Sequence, residues 1–131
     1  MLKVNNTYCS TLVDTASEST LIKNSIYQKM EVQPLKRCRD TLKGISGQVL
    51  STLGETALRF ELDSDYSLTH QVVVLPDKYL QTDVLLGMDI MGRLGEVLIS
   101  EEKQQVVWGK FRFDYYEITP VADLKGIRPV K

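Results

Sequence analysis

The chain contains a single histidine and only two cysteines, so it holds little material for a metal centre. Cys9 and Cys38 have no partners at the spacing of zinc ligands, and His70 does not complete a set. We therefore expect no metal and no cofactor. Two cysteines could form one disulfide, but nothing else in the sequence indicates secretion, and a reduced intracellular chain is the expectation.

The sequence also lacks an excess of charge of either sign and long apolar runs. The formal net charge is −1, which excludes a general electrostatic attraction to nucleic acid or anionic lipid. No apolar run approaches the ~18 residues of a membrane span. A chain of 131 residues with 43% apolar residues is most simply one globular domain.

One acidic residue stands at an unusual place, directly after an apolar run. The residues from Tyr8 to Val13 predict a strand, and Asp14 follows at its end. A carboxylate there is costly unless another group pairs with it or it has a function. Thr15, Ala16 and Ser17 follow, and small residues allow another backbone to approach closely. We interpret Asp14 as a catalytic carboxylate, with a paired structural acid as the alternative.

Most of the remaining chain predicts short strands separated by glycine, proline and asparagine. The clearest pattern is the alternation of Thr56, Leu58, Phe60 and Leu62 with polar residues, typical of a strand with one buried face. The other predicted strands are a hairpin at 3–8 that turns at Asn5-Asn6, and runs at 20–22, 49–53, 68–75, 84–86, 97–99, 105–108 and 111–116. Helical turns are predicted at 24–30, capped by Asn24 or Ser25, and at 88–94, ended by Gly95.

Three further features have a structural and a functional interpretation. Gly44 and Gly47, with Ile45 and Ser46 between them, predict a hairpin tip that is either an ordinary turn or a flap over a ligand. We expect His70 to be a surface or edge residue, since no partner can be named for it. Trp108 is expected in the core rather than at a ligand site.

Three motifs, in this order, resemble those of retroviral-type aspartic proteases (retropepsins), particularly the proteases of gypsy-class LTR retrotransposons. They are Leu12-Val13-Asp14-Thr15-Ala16-Ser17 with Thr20-Leu21-Ile22, the tip Gly44-Ile45-Ser46-Gly47, and Val84-Leu85-Leu86-Gly87-Met88-Asp89-Ile90-Met91. The resemblance implies an all-β fold, namely a closed small β-barrel with one short C-terminal helix and a flap hairpin. It also implies a protease domain at 1–110, followed by an extension or linker at 111–131.

The resemblance further implies a role for each matching residue. Asp14 would be catalytic, residues 15–17 would form the active-site loop, residues 44–47 the flap, and Gly87 and Asp89 the helix motif. Glu18, Leu21, Leu35 and Val84 would bind substrate. The implied partners are a second copy of the chain, which supplies the second aspartate, and a polypeptide bound as an extended strand, without nucleic acid or membrane. The implied substrate is a Gag-Pol-like polyprotein, in the cytoplasm or in virus-like particles.

Two departures from the family pattern leave alternatives open. Ala16 stands where the family usually has glycine, and Met88 stands where retroviral enzymes have arginine. Alanine fits the loop if its φ is negative. The first hypothesis is an active homodimeric endopeptidase, and the second is a catalytically weak or inactive domain of the same fold that dimerises or binds peptides. The third is an unrelated β-barrel binding module in which Asp14 is a paired structural acid.

Overall fold

The first hairpin of the structure turns at two asparagines. Asn5 and Asn6 have φ of 44° and 64°, the left-handed conformation that a tight hairpin turn requires and that asparagine tolerates. β1 (Leu2–Val4) and β2 (Thr7–Cys9) pair antiparallel on either side of this turn. The predicted hairpin is therefore confirmed. The computed structural model describes residues 1–31, 34–38, 42–43 and 47–120.

Most of the other elements are strands, and the helices are short. The two α-helices are α1 (Asn24–Tyr27) and α2 (Met88–Met91), and 3₁₀ turns occur at Asp77–Tyr79 and Gly92–Leu94. The strands that follow β2 are β3 (Thr11–Val13), β4 (Leu21–Lys23), β5 (Gly54–Asp63), β6 (Tyr66–Leu75), β7 (Val84–Leu86), β8 (Val97–Ser100), β9 (Gln105–Trp108), β10 (Phe111–Asp114) and β11 (Thr119–Pro120). The mostly-β prediction is confirmed.

The main sheet has eight strands in the order β11-β3-β7-β4-β6-β5-β1-β2. β2 is the last strand in that order and β3 is the second, yet only Ser10 separates them in the chain. One residue spans only about 3.5 Å, so the two ends of the sheet must lie close together and the sheet must curl. No pairing within the described residues joins its edges, β11 and β2, so a closed barrel is not confirmed.

The long β5–β6 hairpin shows how the period-two pattern selects a buried face. Thr56, Leu58, Phe60 and Leu62 are at most 6% exposed, while the residues between them are exposed or half-buried. β6 pairs antiparallel with β5 along most of its length. The alternation in the sequence therefore confirms both the strand and the side that faces the core.

A smaller sheet, in the order β10-β9-β8, packs on the same core. Trp108 is fully buried and its indole N–H donates to the Met91 carbonyl oxygen at 2.8 Å, so the predicted core position is confirmed. Phe111, Phe113 and Ile118 belong to the same apolar cluster. The domain boundary after residue 110 stays a prediction, but residues 111–120 pack with the residues before it.

Two local predictions were wrong in detail. The strand predicted from Tyr8 to Val13 is interrupted at Ser10, whose backbone N–H donates to the Asp83 carboxylate at 3.0 Å. The strand predicted at 49–53 is reduced to a bridge between Lys43 and Val49, and the regular strand begins at Gly54. Residues 121–131 of the predicted extension at 111–131 lie outside the described residues.

The start of α1 also differs from the prediction, because its cap comes from a distant residue. Neither Asn24 nor Ser25 caps the helix, whose N-cap position is Lys23. Instead the Asp77 carboxylate accepts the Ser25 backbone N–H at 2.9 Å. Hydrogen bonds from Ser25 hold the pKa of Asp77 below its ordinary value. A segment that is distant in the chain but close in space thus supplies the hydrogen-bond acceptor that a residue at the helix start usually provides.

The two cysteines are free thiols in different surroundings. Cys9 is fully buried, and burial together with the charge of Asp83 raises its pKa to about 12. Cys38 is half-buried. Because the thiolate is the reactive form, Cys9 is inert at neutral pH. Among the helices in the described residues, none is both long and apolar enough to cross a membrane.

Candidate active site

Asp14 directly follows β3, which has a parallel strand on each side in the main sheet. β7 pairs with one edge of β3 and β11 with the other. All three residues of β3 are buried, and the Asp14 backbone N–H donates to the Leu86 carbonyl oxygen at 3.1 Å. A rigid, buried strand therefore holds the Asp14 side chain at the point where the strand ends. The residue itself is 9% exposed.

The loop after Asp14 holds one oxygen of its carboxylate. The Ala16 backbone N–H donates to Asp14 Oδ1 at 2.9 Å, and the Ser17 N–H donates to the Asp14 carbonyl oxygen at 3.1 Å. Hydrogen bonds to an ionised acceptor are stronger than neutral ones. Ala16 is not among the non-glycine residues of positive φ in the described chain, which are Asn5, Asn6 and Gln104. Alanine therefore fits this loop without backbone strain.

The motif that begins at Gly87 packs directly on the segment from residue 14 to residue 20, which we name the Asp14 loop. The Met88 N–H donates to the Ser17 carbonyl oxygen at 2.7 Å, and the Gly87 N–H donates to Thr20 Oγ1 at 3.2 Å. A Cβ atom at Gly87 would lie 2.4 Å from the Ser19 carbonyl oxygen. Only glycine allows these two backbones to approach so closely.

We expect Gly87→Ala to destabilise the protein, because the atoms it would strike belong to the Ser19 backbone and cannot rotate away. The expected loss in the free energy of unfolding is about 1–3 kcal/mol, measured by urea denaturation. Gly92→Ala is the matched control, since Gly92 has φ of −66° and no atom within 4 Å of the added Cβ. That variant should be as stable as the parent or more stable. Equal stability of the two variants would contradict the close approach.

Asp89 lies two residues after Gly87, in the first turn of α2, and connects three elements. Its Oδ1 accepts the Thr20 hydroxyl at 2.7 Å, and its Oδ2 accepts the Thr20 backbone N–H at 3.2 Å. His70 Nε2 lies 3.0 Å from Asp89 Oδ2, and Arg93 Nη1 lies 3.2 Å from His70 Nδ1. The sequence could name no partner for His70, and the structure gives it two. The side chain of His70 is only 16% exposed and hydrogen-bonds on both ring nitrogens.

Thr20, His70 and Arg93 are site residues that the sequence analysis missed. They are 19 to 69 residues from their partners in the chain, so no local spacing could reveal them. The sequence feature that could have pointed to this hydrogen-bonded group is Asp89, an acid that closely follows a short apolar strand, as Asp14 does.

A cavity of about 470 Å³ opens beside the Asp14 loop. Its wall includes Glu18, Thr20, Glu55, His70 and Asp89. Of the four predicted substrate-binding residues, Glu18 lines this cavity, and its role in binding stays a prediction. No group of three or more residues that could hold a metal ion occurs in the part of the chain that the structure describes.

The other three predicted substrate-binding residues lie in apolar clusters. Val84 is fully buried, Leu21 is 9% exposed, and Leu35 is partly buried against the main core. The structure gives all three a packing position, and their predicted contact with substrate stays untested.

The predicted flap falls partly outside the described residues, which do not include Gly44, Ile45 and Ser46. Gly47 has φ of +84°, a conformation that favours glycine. Lys43 and Val49 form an antiparallel bridge, and the Leu50 N–H donates to the Leu42 carbonyl oxygen at 2.9 Å. The two flanks of the tip therefore run antiparallel, as in a hairpin.

A family model for gag-polyprotein aspartyl protease domains matches residues 1–93. The chain belongs to this family. The match includes the Asp14 loop and the motif at Gly87 and Asp89, the two segments that the structure brings into contact. This is a family of aspartyl proteases, so membership suggests that the chain is a peptidase.

Two solved structures share the fold of this family member. The retroviral protease-like domain of Ddi1 from Leishmania major aligns with a TM-score of 0.63 at 12% identity, over 86% of this chain and 88% of that one. The EIAV protease, solved with the inhibitor HBY-793, aligns with a TM-score of 0.57 at 20% identity, over 76% of this chain and 88% of that one. No curated protein matches the chain. The likeness confirms a retropepsin-type fold.

Proposed function

We propose that the chain is an aspartic endopeptidase that works as a homodimer, with Asp14 of each copy forming the catalytic pair. The observation that carries the proposal is the geometry of Asp14. A rigid strand ends at this carboxylate, and the Ala16 N–H fixes one of its oxygens. The family match supports the chemistry, since it covers Asp14 and the family is one of aspartyl proteases.

The proposed reaction uses two carboxyl groups in different protonation states. The ionised one takes a proton from a water molecule, whose oxygen attacks the scissile carbonyl carbon, while the protonated one gives its proton to the carbonyl oxygen. The tetrahedral intermediate then collapses and the C–N bond breaks. The carboxyl group that took the proton from water gives it to the leaving nitrogen, and the other carboxylate takes back the proton of a hydroxyl group on the carbon. Two acids so close together share one proton. We therefore expect activity to be favoured at mildly acidic pH.

A second copy is the simplest source of the second carboxylate. The chain offers one such motif, and a symmetric dimer places two copies of one residue across its axis. Thr15 and Ala16, directly beside Asp14, are exposed in the single chain and available to a partner.

The edge strand β8 offers a further surface for this second copy. Leu98 and Ile99 point to opposite faces of the strand and are 54% and 42% exposed. Within the described residues, the edge of β8 opposite β9 has no strand paired to it. An apolar free edge is a template for pairing with another chain.

The proposed substrate is a polypeptide bound in extended form, as an added strand under the flap. The antiparallel flanks of the flap, at residues 42–43 and 49–50, support this arrangement. A Gag-Pol-like polyprotein is the substrate that fits the family to which the chain belongs.

The second candidate is a domain of the same fold that dimerises or binds peptides without cleaving them. Ala16 favours it, since its exposed methyl group occupies space that glycine would leave for a partner loop or a peptide. Against it stands the hydrogen bond from the Ala16 N–H to Asp14, which alanine makes without positive φ.

Incubation of the purified chain with a peptide library, from pH 4 to 8, separates the two candidates. We expect cleavage at internal peptide bonds that pepstatin, an inhibitor of aspartic proteases, suppresses. Binding of peptides without cleavage at any of these pH values would favour the second candidate. Cleavage that pepstatin leaves unchanged would contradict the aspartic mechanism.

A further inference from the structure

The carboxylate of Asp89 accepts hydrogen bonds from four donors. They are the hydroxyl and the backbone N–H of Thr20, the Ile90 N–H at 2.8 Å, and His70 Nε2 at 3.0 Å. Each oxygen receives two of them. A carboxylate with two donors on each oxygen has its acceptor positions filled, so its orientation is fixed by its partners.

The contacts of His70 select one form of its ring. Asp89 Oδ2 is an acceptor, so His70 Nε2 must carry the proton. Arg93 Nη1 can only donate, so His70 Nδ1, at 3.2 Å, must be the unprotonated acceptor. Arg93 Nη1 also donates to the Thr69 carbonyl oxygen at 2.6 Å, which holds the guanidinium in place. The neutral imidazole with its proton on Nε2 satisfies both neighbours.

We propose that His70, in this neutral form, is a positioning residue for the Asp14 loop and acts on it through Asp89. The effect on catalysis rests on the proposed function, whereas the effect on the loop does not. Asp89 holds Thr20, the last residue of the loop, by two hydrogen bonds. The Thr20 hydroxyl in turn accepts the Gly87 N–H at 3.2 Å, which maintains the close packing of Gly87 on Ser19.

The charged groups around His70 come from several elements. Asp89 lies on α2, and Arg93 lies on the 3₁₀ turn that follows it. Glu18 of the Asp14 loop, Glu55 of β5 and Cys38 line the same cavity as the ring. A second proton on the ring would place a donor at Nδ1 against the Arg93 N–H and bring two cations together. The contact with Arg93 therefore fits a ring without a proton on Nδ1.

Nuclear magnetic resonance tests the proposal without any turnover. His70 is the only histidine of the chain, so a long-range ¹H–¹⁵N spectrum of tag-free Asp14→Asn protein reports this ring alone. We expect the neutral ring to carry its proton on Nε2 at pH 7.5. A neutral ring protonated on Nδ1 would overturn the proposal.

Two variants separate positioning from simple packing. The amide nitrogen of glutamine can take the place of Nε2, whereas asparagine reaches only the place of Nδ1. In the Asp14→Asn background, His70→Asn should speed hydrogen exchange of the Thr20 amide by about tenfold or more, and His70→Gln should largely restore the parent rate. The Arg59 amide, which donates to Asn5 Oδ1, is the control that should not change. An unchanged rate at Thr20 in His70→Asn would overturn the proposal.

The same variants in the active chain test the effect on catalysis. We expect His70→Asn to lower kcat by about tenfold with KM changed less than about threefold, and His70→Gln to recover most of the loss. Ser67→Ala, on the exposed part of the same strand, is the matched control. If kcat of His70→Asn equals that of the parent, the catalytic part of the proposal fails. If the parent chain cleaves no peptide, the proposed function is refuted. The hydrogen-exchange rates of the Thr20 amide would still decide whether His70 positions the Asp14 loop.

Discussion

Asp14→Asn is expected to abolish proteolysis while leaving the protein folded. In a homodimer this one substitution removes both carboxylates of the pair, so neither the general base nor the general acid remains. We expect kcat/KM to fall by about 10⁴-fold, the upper range for loss of a proton-transferring group. The fold should persist because asparagine Oδ1 can still accept the Ala16 N–H that Asp14 accepts at 2.9 Å.

Asp63→Asn is the matched control for this experiment. Asp63 also accepts, on Oδ1, the backbone N–H two residues ahead, in this case from Asp65 at 2.8 Å. It is the exposed last residue of β5, next to the β5–β6 turn and far along the chain from Asp14. We expect this variant to cleave peptides at the parent rate, with both variants unfolding at the same denaturant concentration as the parent. Cleavage by Asp14→Asn at more than a trace of the parent rate would refute the assignment of Asp14.

A mixture of parent and Asp14→Asn chains should be less active than its parent content predicts. If subunits exchange freely, a threefold excess of the variant leaves about a quarter of parent chains paired with one another. Mixed dimers hold one carboxylate and cannot share a proton between two. Activity per parent chain should therefore fall to about a quarter, measured after incubation long enough for exchange.

Asp63→Asn, added in the same excess, is the control for this mixture. Because this variant is itself expected to be active, the activity per total chain, parent and variant counted together, should equal that of the parent alone. Dilution of the parent alone should lower its activity per chain, since the dimer dissociates by mass action. Activity that is unaffected both by Asp14→Asn and by dilution would indicate that one chain is sufficient, which would contradict the homodimer.

The parts of the fold that the sequence predicts well are those decided by near neighbours. The Asn5-Asn6 turn follows from the left-handed conformation that asparagine tolerates, and the buried face of β5 follows from strict alternation. The sequence singles out Asp14 because a carboxylate at the end of an apolar strand is unusual.

The parts that the sequence did not predict depend on contacts between distant segments. Ser10 interrupts a β-favouring run because the chain must pass from one end of the curled sheet to the other. α1 is capped by Asp77, which no rule for neighbouring residues includes. The partners of His70 lie on α2 and on the 3₁₀ turn after it, 19 and 23 residues away in the chain, so their positions required the structure.

The central claim is that Asp14 is completed by its own copy, and a crystal structure of the protein with pepstatin bound tests it most directly. We predict a two-fold axis across which the two Asp14 carboxylates lie within hydrogen-bonding distance of each other and of the inhibitor. An inhibitor bound away from Asp14, or a dimer in which the two Asp14 side chains face apart, would contradict the account.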